Sequence, residues 1–470
     1  MRTRIPFSAS KPLVSPTSPV PRSRRGAARA AVAAVSAAAL LAGCAGAGGG
    51  SEDDRSINVL MVNNPPMKTL QKLTAEHFTE KTGITVNFTV LPENQVRDKI
   101  SQDFASQAGQ YDVATLSNYE TPIYAERDWL YALDPYVQKD EKYDQDDILT
   151  SMQLSLTGED GKIYAEPFYG ESSFLMYRKD VFAKHGLEMP EKPTWDQVAD
   201  LAADVDEAEA GMKGICLRGL PGWGQVIAPL TTVVNTFGGT WFDENWEAQL
   251  DSPEFTEATK FYVDLVREHG QAGPAQAGFA ECLNSMTQGK TAMWYDATAG
   301  AGELERDDSP VKGKVGYAPA PVKETENSGW LYTWALGMQK ASDNPDDAWE
   351  FISWATGKEY EQLVGEQVGW TSVPAGKRTS TYDDPRYQKE AGAFGDDVFQ
   401  AIENADPRDP GVKKRPYSGI QFVGIPEFTS LGTDVSQEIS AAIAGRQSVE
   451  QALADSQKLA EKVGEEYRNR

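Results

Sequence analysis

Hydrophobic and polar positions follow a period that changes along the chain, and each change marks an element. Ile57–Val62 reads as an apolar strand, with Asn63-Asn64-Pro65-Pro66 as the turn that follows. Leu70, Leu73 and Phe78 then keep helical spacing until Gly83, a helix stop. Ile84, Val86, Phe88 and Val90 alternate without a break, as in a strand with one buried face. Val96, Ile100 and Phe104 recur every four residues and predict a helix, and Tyr111–Leu116 a further short strand. Strand and helix alternating in this way predict an α/β unit with a largely parallel sheet.

Further along, Phe174–Tyr177 reads as a strand, and Thr194 and Gln197 have capping-box spacing. Ser252-Pro253 opens a helix with its cap and first-turn proline in order, and Phe255, Ala258, Tyr262, Leu265 and Val266 share one face. Asn344-Pro345 starts another helix, carrying Ala348, Trp349, Ile352 and Ala355. The last hundred residues read as mostly helical, with a further capping box at Ser448 and Gln451. No internal repeat is found, and no low-complexity tract after residue 55.

Composition changes this picture at the N-terminus. Residues 1–43 carry seven Arg and Lys and no acid, within a chain of 45 basic and 70 acidic side chains and net charge −25. A body that acidic repels phosphate backbones, so no nucleic-acid partner is expected. Behind the basic stretch, Ala30–Leu41 is a short apolar run, below the roughly 20 residues a spanning helix needs. It has the proportions of a signal-peptide h-region. It leads into Leu41-Ala42-Gly43-Cys44, which resembles the lipobox of bacterial lipoproteins, whose cysteine is acylated and becomes the first mature residue. Residues 1–43 are therefore expected as a lipoprotein signal peptide. Residues 44–55, Gly-rich and then charged, are expected as a flexible tether. Ser23-Arg24-Arg25 hints at twin-arginine export without the later positions of that motif, which leaves the route open.

Export bears on Cys216 and Cys282. An oxidising compartment favours a disulfide closing a loop of 66 residues; two buried free thiols are the alternative. The three histidines, His77, His185 and His269, sit near predicted helix ends, and no nucleophile elbow, zinc-protease, phosphate-loop or EF-hand pattern occurs. No catalytic residue, metal or cofactor is expected. Aromatic residues lie beside Gly, Ser or acids at Tyr119-Glu120, Phe168–Ser172, Gly222-Trp223-Gly224, Trp241-Phe242-Asp243, Trp294-Tyr295-Asp296, Gly329-Trp330 and Gly369-Trp370. Aromatic faces cover the C–H faces of sugars, while carboxylates and amides take their hydroxyls, so a polyhydroxylated ligand is favoured.

Three stretches carry a family resemblance. Asp160–Asp180, reading DGKIYAEPFYGESSFLMYRKD, resembles the segment DGKxYAxPxxxExxxLxYNKDxF of the carbohydrate-binding proteins of bacterial ABC importers, the maltose-binding-protein-like class. Gly289–Trp294 is similar to that class's GKAAM strand, and Asn344–Ile352 to its xPExAxxFIxW helix. Within the class, Tyr169–Ser173, Cys216–Gly219 with Gly222–Gly224, Met293–Thr298 and Gly369–Pro374 look like the branch that binds sorbitol and mannitol.

The resemblance implies an α/β, two-lobed periplasmic-binding-protein-like fold of type II, with ligand held in a cleft at the hinge. One lobe would take residues 56–168 and 296–342, the other 169–295 and 343–470. The implied function is capture of a small sugar alcohol or sugar, and its delivery to the transmembrane permease of an ABC importer. The protein would be a monomer, anchored by lipid to the outer face of the cell membrane, or in the periplasm of a Gram-negative source. An oligosaccharide-binding protein of the same class and an exported, lipid-anchored glycosidase are the alternatives.

Carried over by position, Glu171 and Asp296 would accept hydrogen bonds from ligand hydroxyls, and Tyr169, Trp223, Trp330 and Trp370 would form apolar walls. Tyr119 and Glu120 fall on the first lobe's cleft loop. Arg218 enters only through the polyol branch, with a surface salt bridge as its alternative. Asn64, Ser172, Gly224, Asp243, Trp294 and Phe422 complete the candidate ligand-binding set.

Overall fold

The structure is a computed structural model that describes residues 55–470. The leader, Cys44 and all of the expected tether except Arg55 lie outside the described residues. Two sheets organise the described chain. The first has strand order β2-β1-β3-β9-β4, built from β1 (Ser56–Val62), β2 (Thr85–Leu91), β3 (Val113–Ser117), β4 (Ala165–Glu171) and β9 (Tyr332–Met338). The second has order β6-β7-β5-β8, built from β5 (Ser173–Arg178), β6 (Lys213–Cys216), β7 (Thr291–Ala297) and β8 (Val315–Pro319).

The first three strands are parallel as their βαβ spacing requires, with Ile57 opposite Val86 and Val59 opposite Val113. β9 and β4 then run antiparallel, so the sheet is mixed. In the second sheet only β6 and β7 are parallel. Helices supply the cover. Leu70, Leu73 and Phe78 are buried along one helical stretch that contains a π-type turn at Ala75–Thr79 and ends at Gly83, where φ is 76°. Val86, Phe88 and Val90 are only half-buried, because β2 is the sheet's edge.

The expected caps mostly form. Thr194 Oγ1 accepts from the Gln197 amide, and the Gln197 side chain accepts from the Thr194 amide, a reciprocal box. At Ser448 only half of the box exists: its hydroxyl accepts from the Gln451 amide, while Gln451 Nε2 donates instead to Asp455 at 2.7 Å. An acid one turn ahead competes for the glutamine amide, so the expected full box is corrected.

Chain passages between the sheets position the site. The first is a single residue, Ser172, between β4 and β5. Its amide donates to Thr298 Oγ1 at 3.1 Å, and its carbonyl accepts from the Thr298 amide at 2.8 Å. The second passage is residues 320–331, between β8 and β9. The sheet memberships differ from the expected lobe bounds at four places. Tyr169–Glu171 remain in β4 of the first sheet, and Asp296 and Ala297 end β7 of the second. Val315–Pro319 pairs with β5 in the second sheet rather than belonging to a first-lobe segment that begins at 296. Helix Pro345–Thr356 packs on β1, β4 and β9 of the first sheet, although 343–470 was expected in the other lobe. The later helices, Phe428–Ile443 and Val449–Arg468, join Pro253–His269 of the second lobe, and Gly395–Glu403 touches both β8 and β4. Amphipathic spacing shows that a helix buries one face; it carries no information about which sheet covers it.

Candidate ligand-binding cavity

A cavity of about 460 Å³ is lined by residues of both sheets and of the loops beside them. Strand periodicity builds one wall: Tyr169 and Glu171 of β4 share a face, as do Tyr332 and Trp334 of β9, and all four line the cavity. Asn64 enters from the turn after β1. It caps helix Pro65–Thr74 by accepting from the Met67 amide at 3.2 Å, and its Nδ2 donates to the Tyr169 hydroxyl at 3.0 Å. Glu93, Asn94 and Gln95 follow from the start of helix Glu93–Ser106. The opposite wall is the loop after β6, with Arg218, Trp223, Gly224 and Gln225. Phe279, Trp330, Gln421 and Phe422 close the remaining sides.

Glu171 is the buried acid of this cavity that the protein leaves without a partner. It is 6% exposed, and among the described residues no donor reaches its carboxylate. Burial pushes its pKa from an ordinary 4.5 up to about 8; Arg218 pulls it back in part, and Asp296 adds to the rise. Below about pH 8 the empty cavity therefore holds Glu171 as a neutral carboxyl, whose oxygens have no protein partner and can meet ligand hydroxyls.

Both nearby guanidiniums are already satisfied. Arg218 Nε donates to Asp296 Oδ2 at 2.9 Å, Nη2 donates to Oδ1, and Nη1 donates to the Gly224 carbonyl at 2.9 Å. Burial pulls the Arg218 guanidinium down, and the Asp296 charge more than offsets that, so it stays cationic. Arg97, behind the first wall, donates to Glu93 and to Glu120, each at 2.9 Å, and to the Tyr332 hydroxyl. Each cation also underlies aromatic walls: Arg218 lies 5.4 Å from the Phe279 ring and 5.8 Å from Trp330, and Arg97 lies 4.8 Å from Trp334.

Of the sequence candidates, Asn64, Tyr169, Glu171, Arg218, Trp223, Gly224, Trp330 and Phe422 line the cavity. The other seven do not, and their roles change. Asp296 is fully buried behind Arg218, taking donors from Arg218, Trp294 Nε1 and the Ala297 amide, so it anchors the arginine instead of facing a ligand. Trp294 is fully buried as the donor in that contact. Tyr119 packs behind Trp223 and Phe422, at 4.8 and 4.9 Å between rings, and Glu120 serves Arg97. Asp243 caps its own turn through the Asn245 and Glu247 amides, and Ser172 occupies the crossing. Trp370 packs against Gly365 and under Arg386, 4.3 Å from its guanidinium, away from the cavity.

Cys216 and Cys282 are joined as a disulfide with Cα atoms 5.6 Å apart, tying β6 to helix Phe279–Thr287 on the cavity's second wall. Sequence reasoning missed Glu93, Arg97, Gln225, Phe279, Tyr332, Trp334 and Gln421. Arg97 had a usable signal: it falls with Ile100 and Phe104 on the apolar stripe of its helix, where a charge needs a buried partner.

Residues 63–362 match the family model described as bacterial extracellular solute-binding protein. The chain belongs to that family. The family is one of binding proteins, and the chain is accordingly a solute-binding protein of the ABC-transporter type and not an enzyme. A mannitol-binding protein from Pseudomonas aeruginosa is 38% identical over 86% of this chain and 91% of its own length. The crystal structure of a solute-binding protein from Agrobacterium vitis S4 with bound D-mannitol is similar at 43% identity. Its TM-score is 0.85, with 88% of this chain and 99% of that chain covered. A solute-binding protein from Agrobacterium radiobacter K84 in complex with ribitol is similar at 25% identity and TM-score 0.78, with 87% and 99% covered. The fold is that of the type II periplasmic binding proteins. Among the described residues no cluster of His, Cys, Asp and Glu is placed to hold a metal ion, and no helix is long and apolar enough to cross a membrane.

Proposed function

We propose that this protein captures a small acyclic sugar alcohol, a hexitol such as D-mannitol, between its two lobes and presents it to the permease of an ABC importer. Glu171 carries the reading: a buried carboxyl without a protein partner in a small, aromatic-walled cavity calls for a ligand that brings hydroxyl groups and apolar C–H surface. The volume of about 460 Å³ suits a small molecule. The ligands named for the Pseudomonas and Agrobacterium relatives, mannitol and ribitol, are of the same chemical kind. Contacts from both lobes would favour the closed arrangement when ligand is present, which a permease can distinguish from the open one. The lobes would meet at Ser172, at 320–331 and in the segment before Phe428. Acylation at Cys44 would hold the protein at the outer face of the membrane.

A thermal-shift screen of hexitols, pentitols, monosaccharides and disaccharides tests the ligand class. The best hexitol at a hundred times its Kd should stabilise the fold by about 2.7 kcal/mol. A screen in which only disaccharides or longer sugars shift the melting temperature would replace the polyol reading with the oligosaccharide one.

A further inference from the structure

Arg97 does not line the cavity, yet four residues that do are arranged around it. Its guanidinium lies under two indoles, 4.1 Å from the Trp223 ring and 4.8 Å from that of Trp334. Trp334 belongs to β9 of the first sheet, and Trp223 to the loop that follows β6 of the second. Around the edge of the cation stand Glu93, Glu120 and the Tyr332 hydroxyl. Glu93 completes the bridge: one oxygen accepts from Arg97, and the other accepts from Gln225 Nε2 of the opposite lobe at 2.8 Å. Beside it, Asn94 Nδ2 donates to the Pro221 carbonyl at 3.0 Å. The approach depends on Gly224, where a Cβ would lie 2.4 Å from Glu93 Oε1 and 3.1 Å from Arg97 Nη2.

We infer that Arg97 is a positioning residue that receives the Trp223 loop of the second lobe when the lobes close, and so sets how long a bound polyol stays. This rests on the polyol reading of the cavity. A planar guanidinium offers a stacking face to each indole and in-plane donors to the carboxylates at once, which an ammonium cannot do. Ligand release requires the Trp223 loop to leave Arg97 and Glu93. Entry into the open cleft does not require those contacts.

The test is stopped-flow tryptophan fluorescence of the mature protein with D-mannitol, comparing wild type with Arg97→Lys and Gly224→Ala. Arg97→Lys keeps the charge between Glu93 and Glu120. Gly224→Ala obstructs the landing from the other lobe and leaves the first lobe's interior intact. Both variants should raise koff at least tenfold with kon within about threefold of wild type. The ligand-induced decrease in radius of gyration, measured by small-angle scattering, should be smaller in both. A lower melting temperature in Arg97→Lys with unchanged koff in either variant would reduce Arg97 to a structural ion pair and overturn the inference. Equal fold-changes in kon and koff would do the same. If wild type binds no hexitol at all, the polyol reading itself fails, and that outcome is visible before any variant is made.

Discussion

Arg218 and Asp296, 78 positions apart in the chain, meet as a two-pronged ion pair, with Nε and Oδ2 2.9 Å apart and the carboxylate fully buried. One partner faces the cavity and the other is hidden behind it. The pair therefore separates two acids that looked alike in sequence: Asp296 holds a cation, while Glu171 is left without a donor.

Glu171→Gln should weaken polyol binding by up to about tenfold below about pH 8, where the carboxyl is neutral, and by about ten- to a hundredfold above it, where a hydrogen bond to the charged group contributes roughly 1.5–3 kcal/mol. Isothermal titration on folded protein measures it. Wild-type affinity would remove Glu171 from the ligand contacts.

The same variant should change the pH profile of stability. The folded protein holds the Glu171 proton up to about pH 8, while the unfolded chain releases it near 4.5. In wild type the group therefore favours folding fully below about 4.5, and that advantage is lost as pH rises from 4.5 to 8. Without ligand, Glu171→Gln should gain melting temperature relative to wild type across that window, with a constant gap above it. A pH-independent difference between the two would show that the group does not titrate there.

Asp296→Asn should behave in the opposite sense. Removing one partner of a buried pair costs about 3–5 kcal/mol and frees the Arg218 side chain, so melting temperature and affinity both fall. Denaturant unfolding and titration of the same preparation separate the two losses. A fall in affinity alone would put Asp296 back at the ligand.

Trp223→Ala and Trp370→Ala divide the expected walls. The first should lose affinity, because the ring lines the cavity. The second should lower stability and leave the Kd of the folded fraction unchanged, because that ring packs against Gly365 and Arg386. Equal effects on affinity would reject this division.

Protein purified without reductant and then unfolded should expose no titratable thiol at Cys216 or Cys282. Reduction should lower stability, by about 4 kcal/mol for a loop of 66 residues in the chain-entropy model. Two free thiols in the unreduced protein would contradict the bridge.

Local order was legible in the chain because it is written in neighbours. The spacing of Leu70, Leu73 and Phe78, the Thr194–Gln197 box and the Ser252-Pro253 start each depend on residues a few positions apart. The motif around Tyr169–Ser173 likewise brought Glu171 forward, while the lobe change expected after 168 falls short of the crossing at Ser172. What tertiary structure alone decided is which of many similar side chains would meet across long separations. Asp296, Trp294, Tyr119 and Trp370 have the composition of cavity residues and the positions of supporting ones, and nothing local distinguishes the two. Trp334 and Gln421, with no local mark of a binding residue, reach the cavity because β9 and the segment before Phe428 return to it. Helix Pro345–Thr356 shows the same limit at larger scale: its apolar stripe required burial, and only the return of β9 to the first sheet set where that burial occurs.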